Sequence, residues 1–481
     1  MHVIDLVIIA AYLLAVIGAG LWFGRRQKTT SQYFLAGHGV PWWAISASIV
    51  ATETSTITFI SVPGIACAAG GDFRFLQIVF GYCVARVIIS FVFMPWYFRG
   101  ELVTVYELLQ TRFGAPVKAL AASLFVVMRT IADGVRLLLT AYVLAAVFKS
   151  LGFSNGVVTG SIIGLGVIMI VFTLIGGIEA VVWIEVVQLG IYIGGAIAAA
   201  VVLANHTGWE HAIALGRAHD KFRLFDFSFD LTKTYNFWAG LIGGTFLTMS
   251  THGTDQYLVQ RYLCTDRPRS AAKALLVSAI VVLLQFAGFL FIGVLLFAFY
   301  YPNGAPVTAS DQVFPHFITN YMPAGLSGLV VAAIFAAAMS SSLNSIAATI
   351  VADLYRPLVK NRDDHHYLNV SKWLTVIAGI VQIAVGVGMQ YEQRSALNTA
   401  LSIASLINGP ILGVFFLGAT KRGGTAAALT GMIAGIIAVN SVAFATTVAW
   451  PWYTVVGSMT TLLVGWSVSR LVGEKTNRLT S

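Results

Sequence analysis

The sequence predicts an all-helical polytopic membrane protein. About thirteen spanning helices form a single domain, with two five-helix halves of opposite orientation and three spans outside them. Three observations carry this reading. The 481 residues are 58% hydrophobic and only 10% charged. Apolar windows of about 20 residues recur along the chain, each long enough to cross a bilayer. Two of those windows, the second and the seventh, are interrupted in the middle by small polar residues.

The windows fall at about 3–24, 41–68, 73–98, 116–149, 155–175, 180–203, 237–258, 271–300, 323–352, 370–389, 396–419, 425–447 and 451–472. The first begins directly after Met1-His2 and is followed by Arg25-Arg26 without a small-residue cleavage site, so it reads as a retained helix rather than a signal peptide. The window at 116–149 is too long to cross upright and should tilt or project. The two interrupted windows are offset by five spans, which places them equivalently in two inverted halves, about 41–203 and 237–419. The spans at 3–24, 425–447 and 451–472 are peripheral to this core.

Charge sets the orientation. Arg25, Arg26 and Lys28, Arg99 and Arg112, Arg261, Arg267 and Arg269, Arg356, Lys360 and Arg362, Lys421 and Arg422, and Lys475 and Arg478 fall on one side. The positive-inside rule puts that side in the cytoplasm, with the N-terminus outside and the C-terminus inside. The loop at 302–322 has no Lys or Arg. The loop at 204–236 departs from the trend with Arg217, Lys221, Arg223 and Lys233, offset by Glu210, Asp220, Asp226 and Asp230. The net charge of +9 is thus orientation signalling in short loops, not a nucleic-acid patch. Cys67, Cys83 and Cys264 lie in or beside apolar segments and match no metal or disulfide framework, so they read as small core residues.

The interruptions carry the chemistry. The first reads Ala51-Thr52-Glu53-Thr54-Ser55-Thr56. A carboxylate at bilayer depth costs about 2.5 kcal/mol or more, and irregular backbone survives there only where it is buried or lines a cavity. The second reads Met249-Ser250-Thr251-His252-Gly253-Thr254-Asp255-Gln256. Paired breaks of this kind in inverted halves mark a midplane binding site in secondary transporters. Sodium, a hard cation, takes oxygen ligands, including carbonyls freed where a helix unwinds. Ser340 and Ser341 add adjacent hydroxyls in span nine, and Ala337 sits one turn earlier; the same small residues also suit close helix packing.

Glu53 has three open readings: an internal ion-pair partner, an acceptor for substrate hydroxyls or an amine, or a protonatable group. Its first-choice partner is Arg136, with Arg86 the alternative. Arg129, Asp133 and Arg136 share a helix face and suit a salt-bridge ladder. His252 reads as a structural hydrogen-bonding residue rather than a proton carrier, and Asp255-Gln256 as the cap of the half-helix that follows.

Five segments, ATETSTITFISVPG, FTLIGGIEAVVWIEVVQ, GTDQYLVQRYL, GLSGLVVAAIFAAAMSSSLNS and GPILGVFFLG, resemble in that order the sodium/solute symporter family. Its members include sodium/glucose, sodium/iodide and sodium/sialic acid transporters, and the resemblance runs from about residue 1 to 470. It implies a leucine-transporter-type fold and sodium-driven uptake, with sodium between the broken first core helix and the eighth. The implied ligands are the carbonyls of Ala51, Thr54 and Ala337 and the hydroxyls of Ser340 and Ser341. Many members have about three more residues between the serine pair and Leu-Asn-Ser, so Ser342 competes with Ser341 for the second hydroxyl position. The family's Trp-Thr-Asp, linked to sodium and in some members to a further sodium site, reads Trp183-Ile184-Glu185 here, which points to one sodium rather than two. The sialic acid branch implies substrate contacts at Glu53, Ser55, Thr58, Gln77 and Arg136, with Glu53 replacing a neutral residue.

Gly152-Phe-Ser-Asn-Gly156 matches G-x-S-x-G, but it lies in a short loop between spans, not on a strand-to-helix elbow. With no H-E-x-x-H and no P-loop, the chain reads as neither an enzyme nor an ATP-driven pump. The expectation is sodium-coupled symport of a small organic solute, a sugar or polyol first and a monocarboxylate second. A membrane solute sensor without transport is the alternative of another class. The expected partners are the solute, sodium and the bilayer, with no nucleic acid; a monomer is consistent with the sequence, which does not fix the oligomeric state.

Overall fold

A computed structural model describes residues 2–24, 29–54, 56–100, 102–150, 156–305, 307, 310–339, 342–390, 396–420 and 422–472. Helices account for the architecture, and no strand occurs among the described residues. In chain order they are α1 (Val3–Gly24), α2 (Thr30–Leu35), α3 (Trp42–Glu53), α4 (Thr56–Cys67), α5 (Leu76–Ile88), α6 (Glu107–Phe113), α7 (Ala115–Ser150), α8 (Val157–Thr207) and α9 (Trp209–Ala218). Then come α10 (Gly244–Gly253), α11 (Gln256–Leu263), α12 (Pro268–Tyr300), α13 (Ser310–Tyr321), α14 (Leu326–Met339), α15 (Leu343–Thr349), α16 (Asp364–Met389), α17 (Ala396–Ala419), α18 (Thr425–Ala445) and α19 (Pro451–Val472).

Among the described residues, eight helical stretches are apolar and long enough to cross a membrane on their own, one of them α5 continued to Tyr97. The thirteen expected windows divide differently because several are broken. The window at 41–68 is two helices, α3 and α4, with Thr54 leaving helical geometry after Glu53. The window at 323–352 holds α14 and α15, and residues 340 and 341 between them lie outside the described residues. Conversely, the windows at 155–175 and 180–203 are continuous in α8, joined through Gly177 at φ 56° and ψ −165°. That conformation is open essentially to glycine alone, so one residue turns two spans into a kinked pair. The window at 116–149 is one helix, α7, of 36 residues.

Close backbone approach builds the interface between α5 and the first half of the second interrupted span. Against α5, the turn at Ala239–Gly243 and the start of α10 present Gly240 and Gly244. A methyl on Gly240 would meet the Gln77 carbonyl carbon at 2.5 Å, and one on Gly81 the Gly240 oxygen at 2.4 Å. Small residues let helices touch where hydrocarbon offers no other drive to associate.

The buried apolar residues form two clusters. On each core helix the division falls at the same depth: between Ile49 and Val50, Tyr82 and Ala85, Met128 and Leu137, Ile184 and Leu189, Leu247 and Met249, and Phe335 and Leu343. The breaks and the buried charges occupy that level.

Gly240→Ala should lower the melting temperature of the purified protein, because overpacking a tight contact costs about 1–3 kcal/mol. Gly288→Ala in α12, where a methyl meets open space, should leave it unchanged or raise it. Equal melting temperatures for the two variants would show that the α5 contact is not tight.

Candidate functional site

Between the two apolar clusters lies a belt of paired acids and arginines. Four acids, Glu53, Asp133, Glu185 and Asp255, meet four arginines, Arg86, Arg129, Arg136 and Arg261. The formal charges cancel. Burying an ion costs several kcal/mol unless a partner of opposite sign and further hydrogen bonds accompany it. The sequence meets that demand with pairs that bridge separate helices.

Glu53 closes α3, and its carboxylate receives Nη2 of Arg86 from α5. His252 Nε2, from the end of α10, lies 3.3 Å from the same Nη2 and 3.9 Å from the Glu53 carboxylate. The first-choice partner of Glu53 was Arg136, and the structure corrects this to Arg86. Arg136 is held elsewhere, with Nη1 3.7 Å from Asp133 on its own helix and donating to the Tyr257 hydroxyl at 3.1 Å. A carboxylate three residues away on one helix face is a local partner that helix geometry supplies directly.

The ladder expected on α7 is present and extends further. Arg129 lies 3.9 Å from Asp133 and also pairs with Asp255 on the far side of the second break. Asp255 caps α11 by accepting from the Tyr257 N–H at 2.9 Å. Gln256, expected to share the capping, instead bonds the segment before α6: its amide donates to the Val103 carbonyl at 2.9 Å and accepts from the Val105 N–H at 2.8 Å.

Glu185 is fully buried at mid-helix in α8. Arg261 Nη2 donates to it at 2.6 Å, Thr52 Oγ1 at 2.9 Å, and Ser48 also donates. Arg261, counted with the inner-loop charges, is corrected to a belt residue: α11 carries it inward and leaves it fully buried. The Tyr257 ring binds the arginines together, with the guanidinium carbons of Arg129 and Arg261 each 4.5 Å from its centroid and that of Arg136 5.6 Å away. Sequence spacing gives no sign of this stack, since its arginines come from two helices.

The residues expected to hold sodium lie on both sides of a shared junction. Ala51 is in the last turn of α3, and Thr54 leaves helical geometry at φ −78°, ψ 54°. Ala337 is in the last turn of α14. The two elements touch where Thr56 Oγ1 donates to the Ile334 carbonyl at 3.1 Å. Ser340 and Ser341 lie outside the described residues, as does Ser55. Ser342, the competitor for the second hydroxyl position, gives its N–H to Asp133 at 3.0 Å and its hydroxyl to the same oxygen. Thr58 Oγ1 donates to the Glu53 carbonyl at 2.9 Å. Gln77 is fully buried, donating to the Arg74 carbonyl and accepting from the Asp226 N–H, both at 3.1 Å.

This geometry accords with comparisons to known proteins. The sodium:solute symporter family model matches residues 33–435. The chain belongs to that family. It is 32% identical to the sodium/sialic acid symporter NanT of Aliivibrio fischeri, over 97% of this chain and 93% of that one. It is 28% identical to the mouse sodium-coupled monocarboxylate transporter 1, over 90% and 71% of the respective chains. A solved Na+-coupled sialic acid symporter, described as substrate-bound, outward-open and holding a novel Na+ site, superposes with a TM-score of 0.90 at 28% identity, over 99% of this chain and 100% of that one. The symporter described here therefore has the leucine-transporter-type fold and is a multi-pass membrane transporter, not an enzyme. Sodium is its coupling ion and a small solute its cargo.

Glu53→Gln and Arg86→Gln should each destabilise the symporter by about 3–5 kcal/mol, the cost of leaving one charge of a buried pair. The double variant should cost less than the sum of the two. Glu53→Gln and Arg136→Gln should instead add. Melting temperatures of the five variants and the unmodified protein decide this, and strict additivity of the Glu53 and Arg86 changes would refute the pairing.

Proposed function

We infer that the symporter carries one sodium ion with a neutral, hydroxyl-rich solute, a sugar or polyol, into the cell by alternating access. The observation that supports a neutral cargo is the charge balance of the belt. Arg86 is already neutralised by Glu53, and Arg136 is engaged by Asp133 and Tyr257. An anion entering beside Glu53 would meet a fixed negative charge with its counter-charge already taken. Glu53 and Arg86 together offer an acceptor and donors side by side, which suits neighbouring hydroxyls. Ser55, Thr58, Gln77 and Arg136 complete the proposed solute contacts.

The proposed sodium ligands are the carbonyls of Ala51, Thr54 and Ala337 and the hydroxyls of Ser340 and Ser341. The contact between Thr56 and Ile334 supports this by bringing the two broken elements together. The Asp133 bond to Ser342 supports Ser341, not Ser342, as the second hydroxyl. Sodium there would tie α4 to α14, and any gain in solute affinity would be returned as a gain in sodium affinity. Arg261 at Glu185 supports a single sodium, because a guanidinium already supplies the positive charge that a second ion would bring. The N-out, C-in orientation is part of the same proposal.

A second reading, a monocarboxylate, is favoured by Arg86 Nε and Nη1, which are buried and have no hydrogen-bond partner, and by the monocarboxylate transporter among the relatives. Thermal shifts with sugars, polyols and carboxylates, each with and without sodium, separate the two. A sodium-dependent shift with a sugar or polyol, abolished by Glu53→Gln, is the expected result. A shift with a carboxylate that Glu53→Gln strengthens would replace the first reading with the second.

Uptake into proteoliposomes should require an inward sodium gradient and show a Hill coefficient for sodium close to one. Ser340→Ala and Ser341→Ala should each raise the half-saturating sodium concentration about tenfold, a loss of ~1.4 kcal/mol. Solute binding without uptake would favour a sensor. A Hill coefficient approaching two would overturn the single-sodium reading, and unchanged sodium dependence in both serine variants would remove the site.

A further inference from the structure

We propose that residues 222–231, the extended strap between α9 and the Ala239–Gly243 turn, lie in the boundary between lipid headgroups and acyl chains and anchor this end of the bundle to the bilayer. The strap reads Phe222-Arg-Leu-Phe-Asp-Phe-Ser-Phe-Asp-Leu231. Successive side chains of an extended segment point to opposite sides. Leu224 and Asp226 face the protein, the first packed on the core and the second buried. Phe225, Phe227 and Phe229 face away and are 43%, 63% and 71% exposed. Three exposed phenylalanines in strict alternation are costly in water and well placed at a membrane interface, where aromatic rings concentrate.

The occupant follows from what this face adjoins. Phe225 stacks on Phe80 of α5, with centroids 6.1 Å apart. Phe80 begins a strip that continues down the helix through exposed Val84, Val87 and Phe91, which face the hydrocarbon. Phe229 packs beside exposed Trp238, 6.3 Å away, where span seven enters. The strap's aromatic face is therefore continuous with the lipid-facing surface of the bundle.

The backbone agrees. Main-chain groups near hydrocarbon need internal partners. The Arg223 carbonyl accepts from the Phe73 N–H at 3.1 Å, the Asp226 carbonyl from the Phe237 N–H at 2.7 Å and the Leu231 carbonyl from the Ala449 N–H at 2.8 Å. The Asp226 N–H donates to Gln77, and the Ser228 N–H to the Asp226 carboxylate at 3.0 Å. The Phe227 carbonyl accepts from the Trp238 indole at 3.2 Å, and the Asp230 carbonyl from the Asn236 amide at 2.7 Å. The strap is thus a lipid-facing aromatic edge on a polar scaffold that faces the protein. This reading is independent of solute and stoichiometry.

The test uses the full chain in phosphatidylcholine vesicles. A nitroxide is attached at Phe227→Cys, Phe229→Cys and, as a water-exposed control on the following turn, Thr232→Cys, each in a Cys67→Ser, Cys83→Ser background. Oxygen, which concentrates in lipid, should relax the labels at 227 and 229 more than a water-soluble nickel chelate does, with the order reversed at 232. Stronger relaxation by nickel at 227 and 229 would place the strap in water. Protection from both would place it against protein, a second copy included. Either result overturns the proposal. The unmodified protein provides a check that needs no substitution: a phosphatidylcholine with a photoactivatable acyl chain should crosslink to residues 224–231, and absence of adducts there would also count against the anchor.

Discussion

The rest of the symporter depends on how it keeps charge inside a membrane. Four acids and four arginines sit at one depth, and no charge is tolerable alone at that depth. The solution ties nearly every core element to another: α3 to α5 through Glu53 and Arg86, α8 to α11 through Glu185 and Arg261, and α7 to α11 through Arg129 and Asp255. These bonds have directions and partners, unlike the apolar contacts above and below them. They fix which helix sits beside which, while the two apolar clusters supply bulk packing on either side.

The belt lies where the helices break, and the breaks carry their own requirement. Each frees backbone groups that water cannot reach. Side chains from the same short segments satisfy them: Thr54 Oγ1 donates to the Val50 carbonyl at 2.7 Å, Thr58 to that of Glu53, and Asp255 accepts at the start of α11. Threonine and aspartate recur at the interruptions because their short side chains return to nearby backbone. A break capped this way is a stable geometry rather than a local melt. It is followed at once by α4, whose first residue, Thr56, bonds the Ile334 carbonyl of α14, where a cation would complete the arrangement proposed for sodium.

Much of this was legible in the sequence, for definite reasons. Hydropathy marks spans because bilayer thickness fixes their length, and the two polar interruptions stand out against apolar flanks. The Arg129–Asp133–Arg136 ladder and the Asp255 cap were visible because they are local, set by spacing along one helix. Partners across helices were not. Nothing in the spacing of Glu53 favours Arg86 over Arg136, and Arg261 near the end of a span looks like an orientation signal until α11 is seen to carry it inside. Lys221 is similar: among the charges that depart from the positive-inside trend, it is buried, and its ammonium donates to the carbonyls of Ala66 and Ala68 at the end of α4. A lysine at a helix C-terminus meets orphan carbonyls and the negative end of the dipole. The kink at Gly177 was hidden for another reason: one glycine among many carries no mark of its backbone angles.

The contacts of Gln77 tie α5, the helix that carries Arg86 of the belt, to the strap, and they suggest an order for the proposed transport cycle. In this structure the Gln77 amide is bonded to the Asp226 N–H and the Arg74 carbonyl, and the strap is stitched over it. An amide has two N–H groups and two acceptor sites, so Gln77 retains capacity for a solute only on the side turned from the strap. It would gain further capacity if Asp226 lifted away. Lys221 holds the carbonyl end of α4 from the loop that leads into the same strap. In the proposed cycle, release of the strap and release of that half-helix would be one motion. Sodium bridging α4 to α14 would oppose or favour that motion according to which position of α4 completes its ligand shell. Coupling in this scheme is a competition for the position of one half-helix, between the strap at its carbonyl end and a cation at its break.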